Sequence, residues 1–179
     1  MEIAIRNYVA GSHLLESDPQ LWDAIVILDS NLRESEFVEN HTRNNLFLRF
    51  DDVTTTTHGK RSPTVEDVKL ALQFATDSDC LMVCCRAGQS RSVAIAFSIA
   101  FHTLGADAAI ELLNPKRHSP NSLIIDLASS IIDDPMLATT FHNWQTANSH
   151  IKMIDYIDEI EREMDALESN GARNRIIQA

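Results

Sequence analysis

The sequence predicts an α/β fold: one domain with a central, largely parallel or mixed sheet flanked by helices, followed by an extra C-terminal helix. Three observations carry this reading. Short continuous apolar runs alternate with stretches of helical periodicity through the first 135 residues, the pattern of strand–helix–strand units. The 179 residues, 44% apolar and 23% charged, suit a single ordinary domain with a sizeable core. Glycine and proline number five each, too few for a turn-rich all-β sandwich.

Ile3 and Ile5 suggest a first short strand. Ala24 to Leu28 is a continuous apolar run between Asp23 and Asp29 and reads as a strand buried on both faces. Asn45 to Phe50 is a third strand, ending at Asp51-Asp52. A polar loop with four consecutive threonines follows, to Ser62. Pro63-Thr64-Val-Glu-Asp67 opens a helix with a capping hydroxyl and early carboxylates, carried to about Asp77 on Val68, Leu70, Leu72 and Phe74. Cys80 to Cys84 is a fourth strand. After a turn, apolar residues from Val93 to Leu104 recur at helical spacing. Two more helices are expected, Ala106 to Leu113 and Pro120 to Ile132.

The α/β unit thus ends near residue 135, and residues 136–170 form a helical extension. There Met153, Ile157, Ile160, Met164 and Leu167 fall 4, 3, 4 and 3 apart, with seven acidic residues between Asp155 and Glu168. This is an amphipathic helix whose seam packs on its own domain, with homodimerisation as the alternative. Residues 171–179 read as a frayed tail.

The net charge of −11 excludes a general nucleic-acid binder, which needs a basic footprint. Three cysteines, two adjacent, make neither a disulfide framework nor a metal-ligand spacing, and the histidines show none either. A reducing, cytoplasmic compartment follows. The sequence has no basic-then-apolar leader and no run of eighteen apolar residues, so neither a membrane nor a metal or other cofactor is expected.

Chemistry concentrates at Cys85-Arg86-Ala87-Gly88-Gln89-Ser90-Arg91-Ser92. Cys85 sits on a strand-to-helix turn, where free backbone N–H groups and the positive end of a helix favour an anion and a thiolate. Gly88 lets the backbone turn closely around a ligand. Arg91 offers the planar fork that grips two phosphate oxygens.

This run resembles the signature loop of the cysteine-dependent protein tyrosine phosphatases, in its Ala-Gly-x-Ser-Arg-Ser portion closest to the dual-specificity branch and its bacterial relatives. The resemblance covers residues 40 to 130 well and the first 40 loosely, and makes residues 1–135 the phosphatase-like domain. It implies a hydrolase of phosphate monoesters, on phosphotyrosine and by extension phosphoserine or phosphothreonine, acting through a cysteinyl-phosphate. Cys85 is then the nucleophile, Arg91 the clamp, the amides of Arg86 to Arg91 the phosphate (or sulfate) cradle, and Ser92 the hydroxyl that stabilises the leaving thiolate. The family's general acid is an aspartate about thirty residues earlier. Asp52 precedes Cys85 by 33 residues and Asp51 by 34, and Asp52 is preferred. Pro120-Asn121 resembles the family's Pro-Asn helix start, with Asn121 as a cap.

Cys84 stands where the family usually has histidine, and strand alternation turns it away from Cys85. That departure keeps open a phosphate-binding module with weak catalysis. Arg86, as a second cation, keeps open a phosphoinositide or other small-molecule phosphatase. The partner in every case is a phosphorylated protein or a small phosphate ester.

Overall fold

The expected strands form as β1 (Glu2–Arg6), β2 (Asp23–Leu28), β3 (Asn45–Arg49) and β4 (Cys80–Cys84) in the computed structural model, which describes residues 1–178. All pairings are parallel, in the order β1-β4-β2-β3. Parallel neighbours need crossovers, supplied by α1 (Tyr8–Ser17), α2 (Glu36–His41) and α3 (Val65–Ala75). β4 is central, and Cys84 lies opposite Arg6 on one side and Val26 on the other. The chain that follows leaves the carboxyl edge of the sheet between two neighbouring strands, where such sheets place ligands.

Side-chain alternation divides the core into two layers. Ile25, Ile27, Leu81, Val83 and Cys85 face α3, α4 (Arg91–Leu104) and α6 (Ser122–Ile132). Ala24, Val26, Leu28, Met82 and Cys84 face the opposite layer with Tyr8, Leu15, Trp22 and Val38 of the α1–α2 side. β2 is buried at every position, as its unbroken apolar run requires. α4 is buried from Arg91 through Ala100, since it lies between the sheet, α3 and α6. After α4 come α5 (Ala106–Glu111), α6, α7 (Pro135–Ala147), a 3₁₀ turn at Met153–Tyr156 and α8 (Ile157–Ser169).

Local chemistry explains the boundaries. Thr64 and Asp67 form the reciprocal capping box at the start of α3. The buried stripe of that helix is Val68, Ala71, Leu72 and Ala75, at i, i+3, i+4 and i+7. Leu70, expected inside, is 39% exposed because it falls off that stripe. At the amino end of β2, buried Asp23 accepts from Arg43 Nε at 3.0 Å, Asn44 at 2.9 Å and Ser78 Oγ at 2.7 Å. These donors, Arg43 foremost, hold its carboxyl down to about pKa 2.

Two findings concern the carboxyl end. The seam of α8 faces its own chain: Ile160, Met164 and Leu167 are half-buried across a cavity from Ile3, Ile5 and Ala10. Ile157, assigned to the same seam, is instead 41% exposed. The tail from Gly171, expected to fray, docks. Ile176 is fully buried in the α1 layer, its Cδ1 3.2 Å from where a Cβ on Gly11 would stand. Backbone bonds tie Ser35 N to Ile176 O and Gln178 N to Arg33 O, and Arg175 N donates to Ser12 Oγ. No helix among the described residues is long and apolar enough to cross a membrane.

Candidate active site

The loop between β4 and α4 brings the expected residues together. Cys85 is 2% exposed, at the floor of a cavity of about 490 Å³ bordered also by Arg86, Gln89, Ser90, Arg91, Asp52 and Met153. Its amide continues the sheet, donating to Arg6 O at 3.3 Å. Its Sγ lies 3.1 Å from Ser92 Oγ. Beyond Cys85, no amide from Arg86 to Arg91 donates a hydrogen bond to another of the described residues. These donors cluster at a helix start, the arrangement that receives anions.

Gly88 makes the loop's path feasible. Its φ is +68°, and a Cβ there would fall 2.7 Å from Asn7 N and 2.8 Å from the Arg6 carbonyl carbon. Any side chain would push the loop off the end of β1. On the far side, Ser119 N donates to Gln89 O at 2.8 Å, linking the loop to the segment before α6.

Arg91 is 4% exposed and fixed from two directions. Nη1 donates to Phe50 O at 2.8 Å, and Nη2 meets Asp29 Oδ1 at 2.7 Å. Burial opposes its charge, but the field of Cys85 and the contact with Asp29 outweigh it and raise its pKa. Nε is buried and has no acceptor among the described residues. A buried donor of this kind costs stability unless an acceptor meets it.

The two candidate acids are held differently. Asp51 is buried and accepts from Ser30 Oγ at 2.6 Å, Ser30 N at 3.4 Å and Arg61 N at 2.8 Å, with Lys60 Nζ 3.7 Å away. Burial alone would raise its pKa, but these donors prevail and lower it. Asp52 is exposed at the cavity edge, and its Oδ1 accepts from Ser90 Oγ and Asn121 Nδ2, both at 2.8 Å.

Two contributors escape a reading of sequence. Asp29, at the carboxyl end of β2, appears there only as the residue bounding an apolar run, yet it grips Arg91 and lies 3.5 Å from Arg86. Its place at a strand's carboxyl end was the available signal. Asn121 caps α6 as expected, accepting from Ile124 N at 3.3 Å, but its amide also holds Asp52. A carboxamide that caps through oxygen keeps two donors to spend. Arg86 is 75% exposed in its side chain and shares its charge with Asp29. Cys84 faces the opposite core layer, where burial first, then Cys85, pushes its thiol well up. Tyr8 lies in that layer also, its hydroxyl donating to Ile27 O at 2.7 Å.

No protein-family model matches this chain, and no curated protein matches it. Solved structures do. A mutant form of Tk-PTP aligns over 74% of this chain and 90% of its own, with 15% identity and a TM-score of 0.51. PTPMT1 in complex with PI(5)P aligns over 74% and 87%, with 16% identity and a TM-score of 0.49. The Yvh1 phosphatase domain from Chaetomium thermophilum covers 73% and 89%, with 14% identity and a TM-score of 0.48. At such identities the likeness is one of fold alone: the chain shares its α/β architecture with the Tk-PTP structure over 74% of its length.

Proposed function

We propose that this chain is a cytoplasmic phosphatase that hydrolyses phosphate monoesters, on phosphotyrosine and also phosphoserine or phosphothreonine, through a cysteinyl-phosphate. The observation that carries the reading is convergence at one cavity. Cys85, Arg86, Ala87, Gln89, Ser90, Arg91 and Asp52 line the same space, and the loop amides from Arg86 to Arg91 donate to none of the described residues.

The Cys85 thiolate attacks phosphorus in line with the ester oxygen, forming S–P as P–O breaks. The loop amides and Arg91 stabilise the charge on the three equatorial oxygens. Asp52 gives its proton to the leaving oxygen and then takes one from the attacking water. That water breaks S–P, releasing inorganic phosphate, and Ser92 Oγ stabilises the returning thiolate. Catalysis on this account is positioning and electrostatics, with neither metal nor cofactor. Asp51 serves structure, because its oxygens are already committed to Ser30 and Arg61.

A headgroup carrying several phosphates would need further free cations, and Arg86, the residue that favours it, already lies beside Asp29. Steady-state hydrolysis of a chromogenic aryl phosphate tests the proposal. Wild type should turn over with and without chelator, and Cys85→Ser should not. Turnover in that variant within tenfold of wild type would exclude the cysteinyl-phosphate route.

A further inference from the structure

The cavity over Cys85 shares a wall with a second one. Asp29, Lys60, Arg86, Ala87 and Gln89 border both, and the neighbouring space is about 540 Å³, a size that holds a sizeable ligand group. Its apolar lining comes largely from the carboxyl end of the chain, Ile160 and Met164 of α8 and Ile177 of the docked tail, together with Val9 and Leu32. The extension that follows the catalytic unit therefore finishes a pocket beside the catalytic mouth. Resting on the phosphatase reading above, we propose that this second cavity is a substrate subsite for an apolar side chain close to the phosphorylated residue of a peptide.

The chemistry of the rim selects a peptide over a lipid. Asn31 and Asn174 line the cavity. Asn7 is spent on Ala10 N and Met164 Sδ, and Asn174 Oδ1 on Ile176 N. Asn31 therefore offers a donor and an acceptor and Asn174 a donor, which match peptide C=O and N–H groups. An acyl chain offers neither. α8 also presents Asp158, Glu159, Glu161 and Asp165 to solvent, and the chain carries a net charge of −11. An anionic membrane surface would be repelled. A carboxylate set against Leu32, Ile160, Met164 and Ile177 would lose water, and the two cations of the shared wall, Lys60 and Arg86, already lie beside Asp51 and Asp29.

The test uses fluorescence anisotropy of labelled phosphotyrosyl peptides on the full chain carrying Cys85→Ser. Leu, Ala or Asp is placed in turn at each position flanking the phosphotyrosine. At one or more positions the Leu peptide should bind at least about tenfold tighter than the Asp peptide. In a Cys85→Ser, Met164→Ser chain that preference should fall below about twofold, while Met164→Leu, close in volume, should keep it. Equal affinities for Leu and Asp at all positions, no binding of any phosphopeptide, or a preference untouched by Met164→Ser would each overturn the proposal. So would stronger displacement of the peptide by vesicles containing a phosphoinositide than by unlabelled Leu peptide. Aryl phosphate hydrolysis by the unmutated chain separates the two claims. Turnover without a flanking preference removes the subsite alone, and a preference without turnover removes the phosphatase reading and leaves a phosphopeptide-binding site.

Discussion

Asp29 Oδ1 lies 2.7 Å from Arg91 Nη2, joining the carboxyl end of β2 to the first residue of α4 across the cavity floor. Both side chains are largely withdrawn from water, at 16% and 5% exposure. The carboxylate does more than balance charge. With Phe50 O it fixes the plane of the guanidinium.

Asp29→Asn should keep the shape and weaken the hold on Arg91, lowering kcat/KM by about tenfold, roughly 1.4 kcal/mol of barrier. Asp29→Ala leaves Arg91 buried without its partner and should destabilise the protein by about 3 kcal/mol. Thermal melts beside kinetics distinguish the two effects. Wild-type kinetics and melting in both variants would show that Phe50 O alone positions Arg91.

The two neighbouring carboxylates should separate by leaving group. Asp52→Asn should slow phosphotyrosine and alkyl phosphates far more than a nitrophenyl phosphate, whose leaving group departs nearly unaided, and should flatten the basic limb of the pH profile. Asp51→Asn should alter rates by less than about tenfold and lower the melting temperature, because it loosens the contacts to Ser30 and Arg61. The reverse pattern would exchange their roles.

Asn121→Ala removes the cap of α6 and the amide on Asp52 together. It should cost about 1 kcal/mol of stability and reproduce, more weakly, the leaving-group dependence of Asp52→Asn. Asn121→Ser retains a cap oxygen and separates the two. If it recovers stability while the leaving-group effect persists, the amide positions the acid. Rates that recover along with stability would make Asn121 a cap alone.

Asp23 predicts the acid response of the fold. Its folded pKa of about 2 lies below the ordinary aspartate value of roughly 3.9. Its contribution, about 2 kcal/mol, is therefore complete above the unfolded value and disappears as pH falls through that window. Denaturant midpoints followed from pH 5 to pH 2 should show this loss in wild type and a shallower one in Asp23→Asn.

Which features were legible in the sequence follows from how local their causes are. The four strands were visible because each is a short apolar run with polar ends. The α3 start was visible because Thr64 and Asp67 cap it within three residues. Cys85, Arg91 and Ser92 lie in one run, so their meeting needs only one turn of chain. α1 gave little signal, since Gly11, Ser12 and His13 interrupt its apolar face, and it is held by packing against the sheet and the tail. α7 begins with Asp134 as cap and Pro135 in its first turn, a local cue, but its periodicity is weak and only Leu137, Thr140 and Phe141 are buried. Contacts such as Asp29–Arg91, Asn121–Asp52 and Ile176 beside Gly11 join residues 62, 69 and 165 positions apart. Only the assembled sheet brings them together.

The central claim is that Cys85 forms a bond to phosphorus, and the direct measurement is acid quenching during turnover followed by mass spectrometry of the peptide that contains Cys85. Asp52→Asn chain mixed with nitrophenyl phosphate should accumulate the intermediate, because S–P formation barely needs the acid with that leaving group while hydrolysis needs the base. The account predicts a phosphate adduct on Cys85, preceded by a burst of nitrophenol close to one equivalent of enzyme. Turnover with neither burst nor adduct, or an adduct on a different residue, would contradict it.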